Sequence, residues 1–278
     1  MKYKGIDIVR YNKNMKFNNS NYKMYLERMD KSAAVSSKGL ILKYVKGRVL
    51  DVGCGSGVLL RQLDNAKGID LNINAVEECI KQRLDAECIS LFDLTEKFDT
   101  IIFSSVLHEF SSYADSGRFG KKPIEAALLQ ARNNLDYNGR IIIRDGVAGD
   151  TYPIIVTAKS IEVVEAFKKY IIDAPMWDKN VKVNINNLKI TAPFNILKEF
   201  MFTYTWGPES YPREVNEKFG ILRPGSWVNL IESCGYKIDY IQYFPEEYEK
   251  YLSKYFEDDE VLNMIFKRSV VLIVATKI

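Results

Sequence analysis

The chain has 278 residues, of which 47% are hydrophobic and 27% charged, so its composition is that of an ordinary globular protein. Its net charge of +3 and isoelectric point near 8.4 are too mild to indicate nucleic-acid binding by overall electrostatics. The four cysteines form no C-x-x-C pair, the first residues are polar, and no apolar run approaches ~20 residues. We therefore expect a cytoplasmic protein without a disulfide framework, a signal peptide or a membrane span.

An apolar run at residues 48–52 predicts a strand that leads directly into the sequence Gly53-Cys54-Gly55-Ser56-Gly57. Glycines at alternate positions permit positive φ and leave no Cβ in the way of a ligand. A helix predicted from about Val58 would present free N–H groups to an anionic or polar cofactor. Neither register completes the dinucleotide fingerprint, and no Gly-Lys-Ser/Thr sequence ends a P-loop. The stretch therefore predicts a nucleotide-type cofactor loop of another class.

Two acidic residues follow this loop at the ends of predicted strands. Asp70 lies near the end of the second predicted strand, residues 66–71, and 15 residues after Gly55. A helix capped by Asn72 separates it from a third predicted strand, residues 87–92, which leads to Asp93. In Rossmann-like sheets a carboxylate at the tip of the second strand accepts hydrogen bonds from ribose hydroxyls. Asp70 is therefore a candidate cofactor ligand.

With Asp51 in front of the glycines, these motifs and their order resemble the class I S-adenosylmethionine-dependent methyltransferases, in which an acidic residue precedes G-x-G-x-G. The resemblance covers residues 45–147 and 222–278. It implies that Asp70 binds the ribose and that Asp93 accepts from the adenine amino group, with Leu94 as an apolar contact. It implies S-adenosyl-L-methionine as the cofactor, bound by Asp51, Gly53, Cys54, Gly55, Gly57, Asp70, Leu71, Asp93, Leu94, Ser104 and Ser105.

The fourth predicted strand, residues 98–104, is nearly all apolar, as expected of a strand covered on both faces. It leads into a loop with Glu109 and His108, the only histidine of the chain. His108 is a candidate general base because its ordinary pKa lies near physiological pH, and the alternative is a structural hydrogen-bonding role. Glu109 is either catalytic or a solvated or capping carboxylate. A metal site built on several histidines is excluded by their count, so no metal is predicted.

Charged residues near the same edge supply acceptor candidates. Arg118, with Lys121 and Lys122, follows the fourth strand at the carboxyl edge of the sheet. This basic loop either steers a phosphate-bearing acceptor or is a solvated surface. Arg144 and Asp145 end the fifth predicted strand, so they either face the same cleft or pair with each other.

Residues 148–222 depart from a minimal fold of the family, in which one crossover helix usually stands here. Helices are predicted at residues 157–170 and 194–202, and an aromatic segment with Tyr204 and Trp206 follows. These aromatic side chains either stack on a planar acceptor or anchor an irregular cap. A helix from Gly225, a sixth strand at residues 236–244 and a strongly apolar strand at residues 268–276 close the chain.

The predicted fold is therefore α/β: a doubly wound, seven-stranded sheet, mostly parallel with an antiparallel last strand, with helices on both faces and an inserted substrate cap. Residues 1–44 are assigned to an N-terminal arm and lid helix, and residues 45–147 to a Rossmann-like cofactor-binding core. Residues 148–222 form the predicted cap, and residues 223–278 complete the core sheet.

The resemblance implies methyl transfer to an O or N nucleophile of a small-molecule or nucleotide-like acceptor. The catalytic candidates are His108, Glu109 and Asp145, and the substrate-binding candidates are Arg118, Arg144, Tyr204 and Trp206. Two alternatives stay open: an RNA methyltransferase of the tRNA type that uses the basic loop, and a non-catalytic scaffold that binds the cofactor. The sequence does not name the acceptor or the oligomeric state.

Overall fold

The computed structural model describes residues 2–3, 6–7, 37–178, 180–245, 252–257 and 259–278. Most of residues 1–44, which were assigned to an N-terminal arm and lid helix, lies outside this range. The strands are β1 (Lys2–Tyr3), β2 (Ile6–Asp7), β3 (Val49–Val52), β4 (Ala66–Ile69), β5 (Ala86–Glu87), β6 (Phe98–Ser104), β7 (Leu135–Gly146), β8 (Pro153–Ala158), β9 (Asn184–Asn186), β10 (Lys189–Pro193), β11 (Tyr236–Phe244), β12 (Phe256–Glu257) and β13 (Val270–Lys277).

The α-helices are α1 (Ile73–Lys81), α2 (Leu107–Ser112), α3 (Lys122–Asn134), α4 (Ile161–Asp173), α5 (Phe194–Thr205), α6 (Tyr211–Glu214), α7 (Pro224–Ser233) and α8 (Asp259–Phe266). Two 3₁₀ helices span Ser37–Tyr44 and Leu60–Gln62. None of the helices described is long and apolar enough to cross a membrane.

The central sheet has seven strands in the order β11-β13-β7-β6-β3-β4-β5. Strands β3, β4, β5, β6 and β7 are mutually parallel. The last strand, β13, lies antiparallel between β7 and β11. The predicted doubly wound sheet with an antiparallel last strand is confirmed. It brings the carboxyl ends of β3, β4, β6 and β7 to one edge, where ligands bind in open α/β sheets.

Alternating side chains of the central strands pack on opposite faces, as the two-residue period of a strand requires. Ile101 and Phe103 of β6 belong to the core on one face, together with Trp227 of α7. Ile102 between them belongs to the core on the other face, which Ile41 of the first 3₁₀ helix covers. Both faces are therefore apolar, which explains why β6 reads as a nearly continuous apolar run.

A second, four-stranded antiparallel sheet, in the order β12-β8-β10-β9, lies outside the central one. It packs against α4 and α5 through Phe167 and Phe200. The sequence predicted a helix from residue 157, but β8 occupies residues 153–158 and α4 begins only at Ile161. β9 and β10 form a local hairpin, but β8 pairs only with the distant β10 and β12, so no local apolar period marks it as a strand.

Residues after β11 also pack on the second sheet and its helices α4 and α5. Leu252, Phe256 and Phe266 belong to the same buried cluster as Phe167 and Phe200. The assignment of residues 148–222 to a separate cap remains a prediction.

Two local features of the core differ from the sequence reading. The third strand is confined to Ala86–Glu87, because residues 91–93 form a turn instead. The fifth predicted strand corresponds to β7, which begins at Leu135 and whose pairing with β6 shifts register between Phe98 and Thr100. Asn138, not Gly139, has the positive φ there, at 58°.

Candidate functional site

The loop after β3 has the conformation that its glycines predict. Gly53, Gly55 and Gly57 have φ values of 69°, 53° and 81°, which L-residues adopt at a cost. A Cβ on Gly53 would lie 2.6 Å from Val106 Cγ2, in the loop after β6. One on Gly57 would lie 2.5 Å from Leu84 Cδ1. Glycine is therefore required for both the backbone conformation and the close approach of neighbouring segments.

Asp70 directly follows β4 and holds this loop. Its Oδ2 accepts a hydrogen bond from Gly55 N at 3.0 Å, and its Oδ1 accepts one from Asn72 N at 2.8 Å. Burial raises the pKa of Asp70, while these backbone bonds and the charge of Arg213 oppose the rise. Each carboxylate oxygen can accept a second bond, so this geometry is compatible with ribose hydroxyls as further donors.

Buried polar atoms without a partner among the described residues lie along the same edge. They are Asn72 Nδ2, next to Asp70, and Ser104 Oγ, at the end of β6. Buried polar atoms in proteins usually have a partner, so these two indicate space for a polar ligand. Together with the glycine loop and the Asp70 carboxylate, they fit the adenosyl and amino-acid groups of S-adenosylmethionine.

The other predicted cofactor residues differ in exposure. Asp51, Cys54 and Leu94 are buried, whereas Leu71 and Asp93 are exposed. Cys54 packs with Cys79 and Leu60 below the loop, so its thiol faces protein rather than a ligand. The structure therefore leaves Leu71 and Asp93 accessible at the surface of this edge.

His108 lies in α2 and is held by two carboxylates. Its Nδ1 lies 2.8 Å from Asp145 Oδ1, and its backbone N donates to Asp145 Oδ2 at 3.2 Å. Its Nε2 lies 3.5 Å from Glu217 Oε2. Burial alone would lower the pKa of His108, but the two carboxylates raise it well above its ordinary value. A ring that retains its proton at neutral pH is a poor general base, which favours the structural role.

Arg213 joins α6 to the helix that contains His108. Its Nη2 donates to Glu109 Oε1 at 2.9 Å, and its Nε donates to Glu217 Oε1 at 2.9 Å. Tyr113 OH also donates to Glu217 Oε1, at 2.7 Å. Burial tends to raise the pKa of Glu217, but Arg213 and His108 outweigh it and hold that pKa at about 2. Burial raises the pKa of Glu109 to about 7, although Arg213 opposes the rise.

Glu214 completes this group of charges, which we call the His108 cluster: His108, Glu109, Asp145, Arg213, Glu214 and Glu217. The side chain of Glu214 is 1% exposed, and its Oε1 lies 3.9 Å from Arg213 Nε. That oxygen has no hydrogen-bond partner within the part of the chain described. Burial and the charge of Glu217 raise the pKa of Glu214 well above its ordinary value.

Sequence reasoning named three members of the His108 cluster and missed Arg213, Glu214 and Glu217. The four-residue spacing of Arg213 and Glu217 is the one local signal for this pair, although α6 ends at Glu214 and Glu217 lies just beyond it. Nothing in the sequence indicates that these side chains are buried beside His108. The structure brings the three catalytic candidates His108, Glu109 and Asp145 together, and their roles remain predictions.

Arg144 and Asp145 do not pair with each other, because neighbouring residues of a strand point to opposite faces. Arg144 is buried, and its Nη1 donates to Ser105 Oγ at 2.6 Å. Ser105 N donates to Arg144 O at 2.6 Å, with φ of 57° at Ser105. Arg144 thus fixes the turn after β6, and Asp145 fixes His108.

The remaining substrate candidates lie apart from the His108 cluster or have protein partners. Arg118 is exposed, yet its Nε donates to Ser112 O at 2.7 Å and its guanidinium lies 4.7 Å from the centre of the Phe119 ring. Tyr204 packs against Phe200 and Tyr255 in the second apolar cluster, with ring centres 5.3 and 4.9 Å apart. Trp206 is half-buried just after α5. Their roles in acceptor binding stay predictions.

Comparison with known families gives one clear match. A family model described as "Methyltransferase domain" matches residues 44–183, which is about half of the chain and includes the glycine loop, Asp70 and the loop with His108. No curated protein matches the chain.

Solved structures resemble the chain over most of its length. A complex between the Haloferax volcanii Trm112 methyltransferase activator and a proposed methyltransferase matches at 12% identity, with 94% of this chain and 97% of that chain covered and a TM-score of 0.58. A Thermotoga maritima S-adenosylmethionine-dependent methyltransferase, a candidate histamine N-methyltransferase, matches at 15% identity, 94% and 96% coverage and a TM-score of 0.52. One from Mesorhizobium loti matches at 14% identity, 87% and 97% coverage and a TM-score of 0.50. At these identities the likeness is one of fold.

Proposed function

The chain belongs to the methyltransferase-domain family, as a class I S-adenosylmethionine-dependent methyltransferase, and on this premise we propose that its acceptor is a small or nucleotide-like molecule with an O or N nucleophile. The observation that carries the proposal is the bond from Arg213 Nη2 to Glu109 Oε1. Because of this bond, residues 211–217 lie over the helix that follows β6. A cleft covered in this way would suit an acceptor that enters whole.

The residues that would hold the cofactor are those of the carboxyl edge. The glycine loop would lie against the cofactor, and Asp70, which accepts from Gly55 N, would also accept from the ribose. Asp93 and Leu94 are the proposed adenine contacts. Bound S-adenosylmethionine supplies an electrophilic methyl group, so the chain mainly has to align the acceptor and exclude water.

The charge of the His108 cluster favours a small acceptor over RNA. Its four carboxylates outnumber its single arginine and single histidine, and several of these side chains are buried. Binding of a phosphate backbone relies on lysine and arginine, and this cluster offers it no excess of positive charge. The basic loop at Arg118, Lys121 and Lys122 is the feature that favours the RNA alternative, but the Arg118 guanidinium already has protein partners.

The experiment follows a radiolabelled methyl group from S-adenosylmethionine into two fractions of a cell extract, small molecules and RNA. We expect label in the small-molecule fraction, and none with the Asp70→Ala variant. Label in RNA that is lost when Arg118, Lys121 and Lys122 are changed to Gln would overturn the proposal in favour of the RNA alternative. Calorimetric cofactor binding with no label in either fraction would instead support the non-catalytic scaffold.

A further inference from the structure

We propose that His108, Glu109 and Glu217 form a binding site for one divalent cation of the class that accepts both imidazole and carboxylate ligands, such as Mn²⁺, Fe²⁺ or Zn²⁺. Each of the three side chains offers one ligand atom, and these atoms all lie within 4.8 Å of one another. The proposal does not depend on the identity of the methyl acceptor. The sequence predicts no metal because a site built on several histidines is excluded by their count, whereas the site proposed here uses one histidine and two carboxylates.

Two of the proposed ligand atoms, on His108 and Glu217, are separated by a distance that suits a shared ion. His108 Nε2 lies 3.5 Å from Glu217 Oε2, which is longer than the range of about 2.7–3.2 Å for an N–H···O hydrogen bond. Two ligands at about 2.0–2.2 Å from one ion, at octahedral or tetrahedral angles, lie roughly 3.0–3.5 Å apart. The pair is therefore spaced as two ligands of one ion are, and less well as a hydrogen-bonded pair.

Neighbouring side chains orient the proposed ligands. Asp145 Oδ1 lies 2.8 Å from His108 Nδ1, so the other ring nitrogen, Nε2, is directed at Glu217. A carboxylate on the far nitrogen is the usual way in which proteins orient a metal-binding histidine. Arg213 donates to Oε1 of Glu109 and to Oε1 of Glu217, and the second oxygen of each carboxylate is the proposed ligand atom.

Glu214 is an independent observation. Its side chain is 1% exposed, its Oε1 has no hydrogen-bond partner among the described residues, and that oxygen lies 3.9 Å from Arg213 Nε. A buried carboxylate oxygen left without a partner is costly. Imidazole binds a metal ion in its neutral form, so a bound ion would replace the proton that His108 otherwise holds between Nε2 and Glu217.

The site would connect two parts of the chain. His108 and Glu109 belong to α2 at the edge of the central sheet, whereas Glu217 follows α6, within residues 148–222 of the predicted cap. An ion bound by all three ligands would hold residues 211–217 against α2. Because all three ligands are brought together only in the folded protein, we expect binding of the ion to stabilise the folded state.

The test uses the full chain after treatment with a chelator. Calorimetric titration with Mn²⁺ is expected to show one site, and pulsed electron paramagnetic resonance to show one imidazole nitrogen coupled to the ion. His108→Gln should remove that coupling, and Asp145→Asn should weaken Mn²⁺ binding by about 10- to 100-fold. Glu217→Gln and Glu109→Gln should each weaken it by at least about 10-fold. Glu165→Gln, in an exposed pair with Lys168, is the matched control and should bind as the wild type does.

Glu109 is partly exposed, so Glu109→Gln keeps the test valid if Glu217→Gln fails to fold, as circular dichroism would reveal. Two results would overturn the proposal. One is the lack of saturable binding of Mn²⁺, Fe²⁺ or Zn²⁺ by the wild type. The other is Mn²⁺ binding without nitrogen coupling, with the same affinity in the wild type, Glu109→Gln and Glu217→Gln. That result would indicate an adventitious surface ion only.

Discussion

The guanidinium of Arg213 donates from Nη2 to Glu109 Oε1 at 2.9 Å and so connects α6 to α2. The same guanidinium donates to Glu217, and the side chain of Arg213 is only 17% exposed. Removal of one partner from a buried charge pair leaves the other charge desolvated and uncompensated, which costs more than the pair contributes. Arg213 is therefore the residue on which the attachment of residues 211–217 to α2 should depend most.

We expect Arg213→Met to lower the free energy of unfolding by about 3 kcal/mol, because Glu109 and Glu217 would lose their shared cation. Chemical denaturation followed by circular dichroism measures this change. Arg223→Met is the control, since Arg223 and Asp150 lie 3.9 Å apart and are both more than half exposed. Such a pair contributes less than about 1 kcal/mol. Equal losses in the two variants would contradict the prediction.

Gly53→Ala should destabilise the cofactor loop. The new Cβ would lie 2.6 Å from Val106 Cγ2, and the φ of 69° costs an L-residue about 1–2 kcal/mol. We expect a lower melting temperature and weaker S-adenosylmethionine binding. Gly225→Ala is the control, because nothing lies within 4 Å of the Cβ that alanine would add there, and the residue belongs to α7. That variant should be unchanged or slightly more stable, since alanine favours the helix.

Asp70→Asn should weaken S-adenosylmethionine binding by about 10- to 100-fold, as expected for the loss of charge-assisted hydrogen bonds worth roughly 1.5–3 kcal/mol. The amide would also place a donor against Gly55 N or Asn72 N, where the carboxylate now accepts. Isothermal titration calorimetry gives the dissociation constant. Asp64→Asn, at an exposed position before β4, should leave it unchanged. Wild-type affinity in Asp70→Asn would remove Asp70 from the cofactor site.

Lys198 should make stability depend on pH. Its side chain is buried and donates to Val147 O at 2.7 Å, and burial lowers its pKa to about 8, with Glu199 and Asp150 opposing. Between that value and the ordinary 10.5, the unfolded chain binds more protons than the folded chain, so stability rises with pH. From about pH 7 to about pH 9 the gain is roughly 1.4 kcal/mol.

Lys198→Met should abolish this rise, whereas Lys168→Met, at an exposed position of α4, should retain it. Denaturation curves at several pH values measure the difference between each variant and the wild type. A difference between wild type and Lys198→Met that stays constant across this range would show that Lys198 does not titrate there.

The parts of the fold that could be predicted are those with local patterns. The bounds of β6 and β11 agree with the strands predicted at residues 98–104 and 236–244, and Asn72 caps α1 as predicted. The second sheet could not be predicted, because β8 and β10 pair through contacts such as Ile190 with Val156. Pairing between residues so far apart in the chain cannot be detected from the pattern within a short window of sequence.

The sequence by itself determined that the candidate cofactor residues Gly53 and Asp70 lie together. Gly53 and Asp70 follow consecutive parallel strands, and parallel strands that are neighbours in the sheet end side by side, so their order in the chain already puts them together. The tertiary structure alone decided the state of His108. Its partners Asp145 and Glu217 come from a distant strand and from the inserted region, and they meet only in the folded chain. Burial and neighbouring charge set its protonation, and both are properties of the packed protein rather than of the residue.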